Sequence, residues 1–179
     1  MAIATVFVIL VAAGLWTGFR RLGSTGRLSV RELGGDASMD KNAFLIQLSE
    51  RMEADFRKQN EVQRVFSAIW RLESEVNNGG FDQYLRFTDS EMIAHATIAL
   101  RTIGANSCAA IVEQAIAQIA PLPTTEDARH ATLDALGDEA LERLESLDSE
   151  FYAYPDDLTE LFSSFVIRHP AEFGAVSTE

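Results

Sequence analysis

Asn77-Asn78-Gly79-Gly80-Phe81-Asp82-Gln83-Tyr84 interrupts the strongest helical pattern in the chain, and its reading decides the fold. Upstream, Val62, Val65, Phe66, Ile69, Leu72 and Val76 recur at spacings of three and four, the period of an α-helix with one apolar face. Two consecutive glycines then permit the left-handed backbone that ends helices, and asparagine is the next most tolerant residue there. Phe81 and Tyr84, three apart, fall on one face of whatever helical turn follows. The stretch therefore predicts a helix stopped, turned and restarted, with Asn77, Asn78, Gly79 and Gly80 making the turn and Phe81 and Tyr84 entering the core. Glu75 needs a separate account, because a carboxylate near the C-terminal end of a helix dipole is unfavourably placed without a donor. Gln83 or a neighbouring backbone N–H is the expected donor, in a buried structural hydrogen bond.

The same periodicity extends in both directions from that turn. Before it, Phe44, Leu45, Leu48, Met52 and Phe56 repeat at three and four from about Asp40 onward. After it, Thr88-Asp89-Ser90-Glu91 has the Thr-x-x-Glu form of a capping box, followed by a stripe of Met92, Ile93, Ala96, Ala99, Leu100 and Ile103 that Gly104 ends. Ile111, Val112, Ala115, Ile116 and Ile119 form the next stripe, broken by Pro121 and Pro123. Leu133, Leu136, Ala140, Leu144 and Leu147 mark a further helical stretch from Thr124, split at Gly137-Asp138 with Asp138 as the cap of its second piece. A last helix is expected from about Pro155 to His169, closed by Pro170. No alternating strand pattern of useful length is present, so the fold class is all-α: a compact multi-helix domain over residues 40–179.

Two segments precede that domain. From Ala2 to Phe19 there are 18 residues without a charge, about 27 Å of helix, the short end of what crosses a bilayer. Trp16 and Phe19 stand where an aromatic belt would lie, and Arg20-Arg21 follow as a stop. Residues 1–19 are read as a single N-terminal transmembrane helix, with the body in the cytoplasm at the inner membrane by the positive-inside rule. A cleaved signal peptide competes with this reading but lacks its basic n-region, and Met39 is an alternative start. Residues 20–39 hold four glycines with interspersed serine and threonine and are read as a flexible linker.

Charge divides the chain along the same lines. The first 35 residues carry four arginines against one glutamate, a net of +3, whereas the whole chain has a net charge of −12. The body is therefore strongly acidic, which disfavours nucleic acid and anionic lipid and favours a basic protein partner. The single cysteine, Cys108, excludes an internal disulfide and reads as a buried small hydrophobe.

Three segments carry a resemblance: Glu75-Val76-Asn77-Asn78-Gly79-Gly80-Phe81-Asp82-Gln83-Tyr84, then Ala99-Leu100-Arg101-Thr102-Ile103-Gly104-Ala105, then Leu147-Asp148-Ser149-Glu150-Phe151-Tyr152. Together they resemble the family of small acidic helical proteins typified by a bacterial DNA-mimic protein, over roughly residues 40–175. The resemblance implies a compact helical domain, in many members a homodimer. In the member that gives the family its name, it implies an acidic surface that occupies the DNA-binding face of a transcription factor. The hydrophobic N-terminus departs from that pattern.

Mimicry has a physical basis independent of the family. Each DNA strand presents a phosphate about every 3.4 Å of axis, and carboxylates four apart on a helix lie about 5–6 Å from one another. Between Glu126 and Glu160, 12 acidic residues face only Arg129 and Arg143. The expected partner-binding residues are Asp134, Asp138, Glu139, Glu142, Glu145, Asp148, Glu150, Asp156 and Asp157, with Asp134 joining the stripe only if its helix is continuous through Gly137. A solvated outer face is the plainer reading of the same charges.

Nothing in the sequence assembles a catalytic site. His95, His130 and His169 come from separate helices and none has metal-ligand spacing; Glu91 and His95, four apart, share a helix face but have no second pair. No phosphate-binding glycine loop or nucleophile elbow is present. The sequence thus reads as a non-enzymatic protein-interaction module that needs no cofactor or metal and binds a basic protein, in its sharper form a DNA-binding regulator. An immunity-like protein that covers a basic toxin is the alternative, and after it an uncharacterised hydrolase, which would require a pocket around Glu75, Gln83 and Tyr84.

Overall fold

A computed structural model describes residues 41–173 of the protein. Within them lie seven α-helices and no strand: α1 (Lys41–Ser49), α2 (Glu61–Phe87), α3 (Ser90–Ile103), α4 (Asn106–Ala117), α5 (Glu126–Asp134), α6 (Asp138–Tyr152) and α7 (Leu158–Arg168). Short 3-10 helices, Phe56–Lys58 and Pro170–Phe173, precede α2 and close the described chain. The all-α compact domain is as expected. No helix among the described residues is long and apolar enough to cross a membrane, and the anchor and linker expected over 1–39 lie outside these residues.

Helix α2 is the organising element. It starts at a capping box not anticipated from the sequence, in which the Asn60 side chain accepts from Gln63 N–H while the Gln63 side chain accepts from Asn60 N–H. Its apolar stripe of Val65, Phe66, Ile69, Leu72 and Val76 is fully buried, and the helix touches α3, α5 and α6. At Gly79 and Gly80 the backbone leaves the helical region, with Gly80 at φ 73 and ψ −173. This conformation is essentially open only to glycine. Beyond the break the helix resumes, and Phe81 and Tyr84 are completely buried, as their spacing requires.

Several boundaries differ from those the sequence predicts. The first helix ends at Ser49 rather than running to Phe56, which sits instead on the 3-10 helix with the Asp55 side chain as its cap. Thr88 forms no capping box: it ends α2 and is buried, while Asp89 precedes α3 without a side-chain cap. Glu91 pairs with Arg57 at 2.8 Å instead of reaching back to the helix start. Thr88 is held at the end of α2, with its N–H on Tyr84 O, and so does not cap α3. Gly137, not Asp138, occupies the cap position of α6. The last helix begins at Leu158, capped by Asp157. Gly104 ends α3 in the left-handed conformation, φ 95, as predicted.

The C-terminal end of α2 shows how the packing satisfies backbone groups. Its last carbonyls have no partner within the helix. Arg129 donates from Nε to Leu85 O at 3.0 Å, His130 Nε2 lies 3.0 Å from Arg86 O, and Arg71 donates to Phe87 O at 2.7 Å. Arg129 is buried without a carboxylate partner among the described residues, so the negative end of the helix dipole and the Ser90 hydroxyl, 2.6 Å from Nη1, compensate its charge.

Candidate protein-interaction face

The break in α2 builds a socket that fixes α6. Opening the helix at Gly79–Gly80 leaves Val76 C=O and Phe81 N–H without partners in their own helix. Both find partners on α6: Asp148 Oδ1 accepts from Phe81 N–H at 2.7 Å, and Tyr152 OH donates to Val76 O at 2.7 Å. Between them, Phe151 meets Phe81 edge-on with ring centroids 5.7 Å apart. A Cβ on Gly80 would run into the Asp148 carboxylate. The glycine is therefore required both for its backbone angle and for the approach of α6.

The expected Glu75–Gln83 bond is present. Gln83 Nε2 donates to Glu75 Oε2 at 2.7 Å across the break, and Arg71 pairs with the other oxygen at 3.1 Å. Two donors thus answer the unfavourable dipole position of Glu75. Of the remaining motif residues, Asn78 is exposed, and a Cβ on Gly79 would collide with the Gln83 amide.

With Leu144, Leu147 and Phe151 buried, the opposite face of α6 must point to solvent. Asp138, Glu139, Glu142 and Glu145 are exposed on it, and none has an ion pair or hydrogen-bond partner among the described residues. Asp138 and Glu139 also lie in the first turn, where the helix dipole favours a negative charge. Leu141 is 41% exposed beside them.

The other five predicted partner-binding carboxylates have internal tasks. Asp134 closes α5, outside the α6 stripe because the chain is not helical through Gly137, and pairs with Arg86 at 2.8 Å. Glu150 pairs with Arg143 at 2.9 Å, and Arg143 also donates to Gln114 of α4. Asp148 serves the α2 socket, and burial raises its carboxyl against the lowering effect of the Phe81 N–H. Asp156 accepts from Cys108 N–H at 2.8 Å, capping α4 from a distant part of the chain because Ala105 offers no side-chain acceptor. Asp157 accepts from Glu160 N–H at 3.0 Å. Of the nine carboxylates, the four on the outer face of α6 are the ones without an ion pair or hydrogen-bond partner among the described residues.

The histidines do not converge. His95 approaches Glu61 at 3.4 Å rather than Glu91, and His130 and His169 contact backbone carbonyls. No group of three potential metal ligands occurs among the described residues. Cys108 is fully buried, and desolvation pushes its thiol up to about 12. Two charged core residues escaped the sequence reading, Glu73 and Arg129. Each falls on an apolar stripe, Glu73 four after Ile69 and Arg129 four before Leu133, so the helical period carried a signal for both.

No curated protein and no solved structure matches the chain. The family model described as DMP19-like protein matches residues 57–169, from the 3-10 helix before α2 through the end of α7. That match covers more than half of the chain and includes all three motif segments, so the chain belongs to the family of DMP19-like proteins, the DNA-mimic family its motifs resemble.

Proposed function

We propose that this protein is a non-enzymatic DNA mimic that presents the acidic face of α6 to a basic surface on a DNA-binding regulator. The observation that carries the reading is the disposition of Asp138, Glu139, Glu142 and Glu145, four exposed carboxylates with no cation among the described residues. Spaced about 5–6 Å apart at helical intervals, they offer a basic groove a row of anions at a density comparable to a phosphate strand. The helix that bears them is fixed from behind by the Gly79–Gly80 socket, so the row is held rigid before binding, which lowers its ordering cost. Membership of the DMP19-like family supports the same role. The uncharged run over residues 2–19 adds a membrane tether at the cytoplasmic membrane, which would bring the regulator to the membrane to be sequestered.

Capture from cell extract on the full chain, solubilised in detergent, tests the reading. A DNA-binding protein should be retained, released steeply by salt and displaced by duplex DNA, because both compete for the same cationic groups. Retention indifferent to both would overturn it. Fractionation of cells should place the full chain with the inner membrane and a chain starting at Met39 in the soluble fraction.

A further inference from the structure

We propose that Glu73 acts as a proton-gated latch: as a neutral acid it lets the turn between α6 and α7 close over it, and loss of its proton opens that turn. Glu73 lies in α2, 1% exposed, and neither of its carboxyl oxygens has a hydrogen-bond partner among the described residues. A bare carboxylate in such a place is strongly disfavoured, so the group either keeps its proton or reaches water. Burial pushes its pKa up to about 8, and no charged group of the surrounding helices offsets that effect. Its titratable neighbours are the Cys108 thiol of α4 and the Tyr154 phenol of the turn, each raised in part by Glu73 itself. Asp156 stands behind Cys108 and Tyr152 behind Tyr154. No cation is among them.

The turn above this carboxyl carries a strained residue. Tyr154 has φ 47, the one positive φ of a non-glycine residue among those described, a left-handed conformation that a side chain disfavours. Its own N–H is bonded to Phe151 O at 2.9 Å and its ring lies 6.3 Å from that of Phe151, and side chains add further bonds that hold the turn. Tyr154 OH donates to Asn77 Oδ1 at 3.2 Å, Asn77 in turn donates to Glu73 O at 2.8 Å, and Asp156 holds the Cys108 N–H. Opening the turn relaxes Tyr154, frees Asp156 and admits water to Glu73, while the apolar stripe of α2 stays packed. This inference does not depend on the role of the acidic face.

Hydrogen exchange of the full chain, corrected for the base-catalysed intrinsic rate, tests the latch between about pH 6.5 and about pH 9.5. Peptides covering residues 106–112 and 151–158 should lose protection by roughly tenfold or more over that range, while the peptide from Met92 to Ile103 in α3 keeps its own. Glu73→Gln, which cannot ionise, should abolish the pH dependence. Equal loss in α3, no loss at the turn, or an unchanged pH response in Glu73→Gln would each overturn the proposal. Should Glu73→Gln fail to fold, the comparison of turn and α3 peptides in the unaltered chain still decides the matter.

Discussion

Asp148 accepts the Phe81 N–H at 2.7 Å across a separation of 67 residues, closing on α6 a hydrogen bond that the break in α2 leaves open. Two of the family's motif segments are therefore complementary parts of one joint. Asp148→Ala would leave a buried N–H unsatisfied and should destabilise the fold by about 1–3 kcal/mol in denaturant unfolding. Asp148→Asn retains an acceptor oxygen and should lose less. Tyr152→Phe, which frees Val76 O and also takes the phenol oxygen away from the Gly80 N–H, should cost about 1–2 kcal/mol.

Gly80→Ala should be among the most damaging changes in the domain. It forces a side chain into the backbone region of φ 73 and ψ −173, at a cost of about 1–3 kcal/mol, and drives its Cβ into Asp148. Because part of that loss is the collision, Gly80→Ala and Asp148→Ala should couple: the double variant should be less destabilised than the sum of the two, as measured in a double-mutant cycle.

Stability should fall as pH rises from about 4.5 toward about 8. Glu73 has its folded pKa raised, so the folded state retains a proton that the unfolded chain releases. Its contribution is complete below the unfolded value and is lost as pH climbs through the folded one. Asp148, also raised, adds in the same direction. Denaturation midpoints measured across this range should show the slope, and Glu73→Gln should flatten most of it.

Glu142→Gln and Glu145→Gln should separate binding from folding. Neither side chain has a partner among the described residues, so unfolding stability should stay within about 0.5 kcal/mol of the parent. Binding to the captured regulator should weaken, with a shallower salt dependence as each anionic contact is removed. Glu150→Gln, whose carboxylate already pairs with Arg143, should weaken binding less.

Arg129→Met should cost about 2–3 kcal/mol in unfolding experiments. It removes the charged donor to Leu85 O and the bond to Ser90, leaving the end of α2 without that cap.

What the sequence by itself determined is local. Helical periodicity established the class, the glycine pair marked the break in α2, Gly104 ended α3, and the dipole argument found the Glu75–Gln83 bond, eight residues apart on adjoining turns. Each rests on neighbours in the chain, where spacing fixes geometry. The role of each carboxylate was not legible in that way. Asp134, Asp148 and Asp156 look in sequence like Glu142 and Glu145, yet they meet Arg86, Phe81 N–H and Cys108 N–H across 48, 67 and 48 residues. Thr88 likewise carries a local capping motif that the buried end of α2 overrides. Only the tertiary structure decided which charges are used within the fold and which are left without a partner among the described residues, because that choice depends on which backbone N–H groups and cations the packing brings within hydrogen-bond reach.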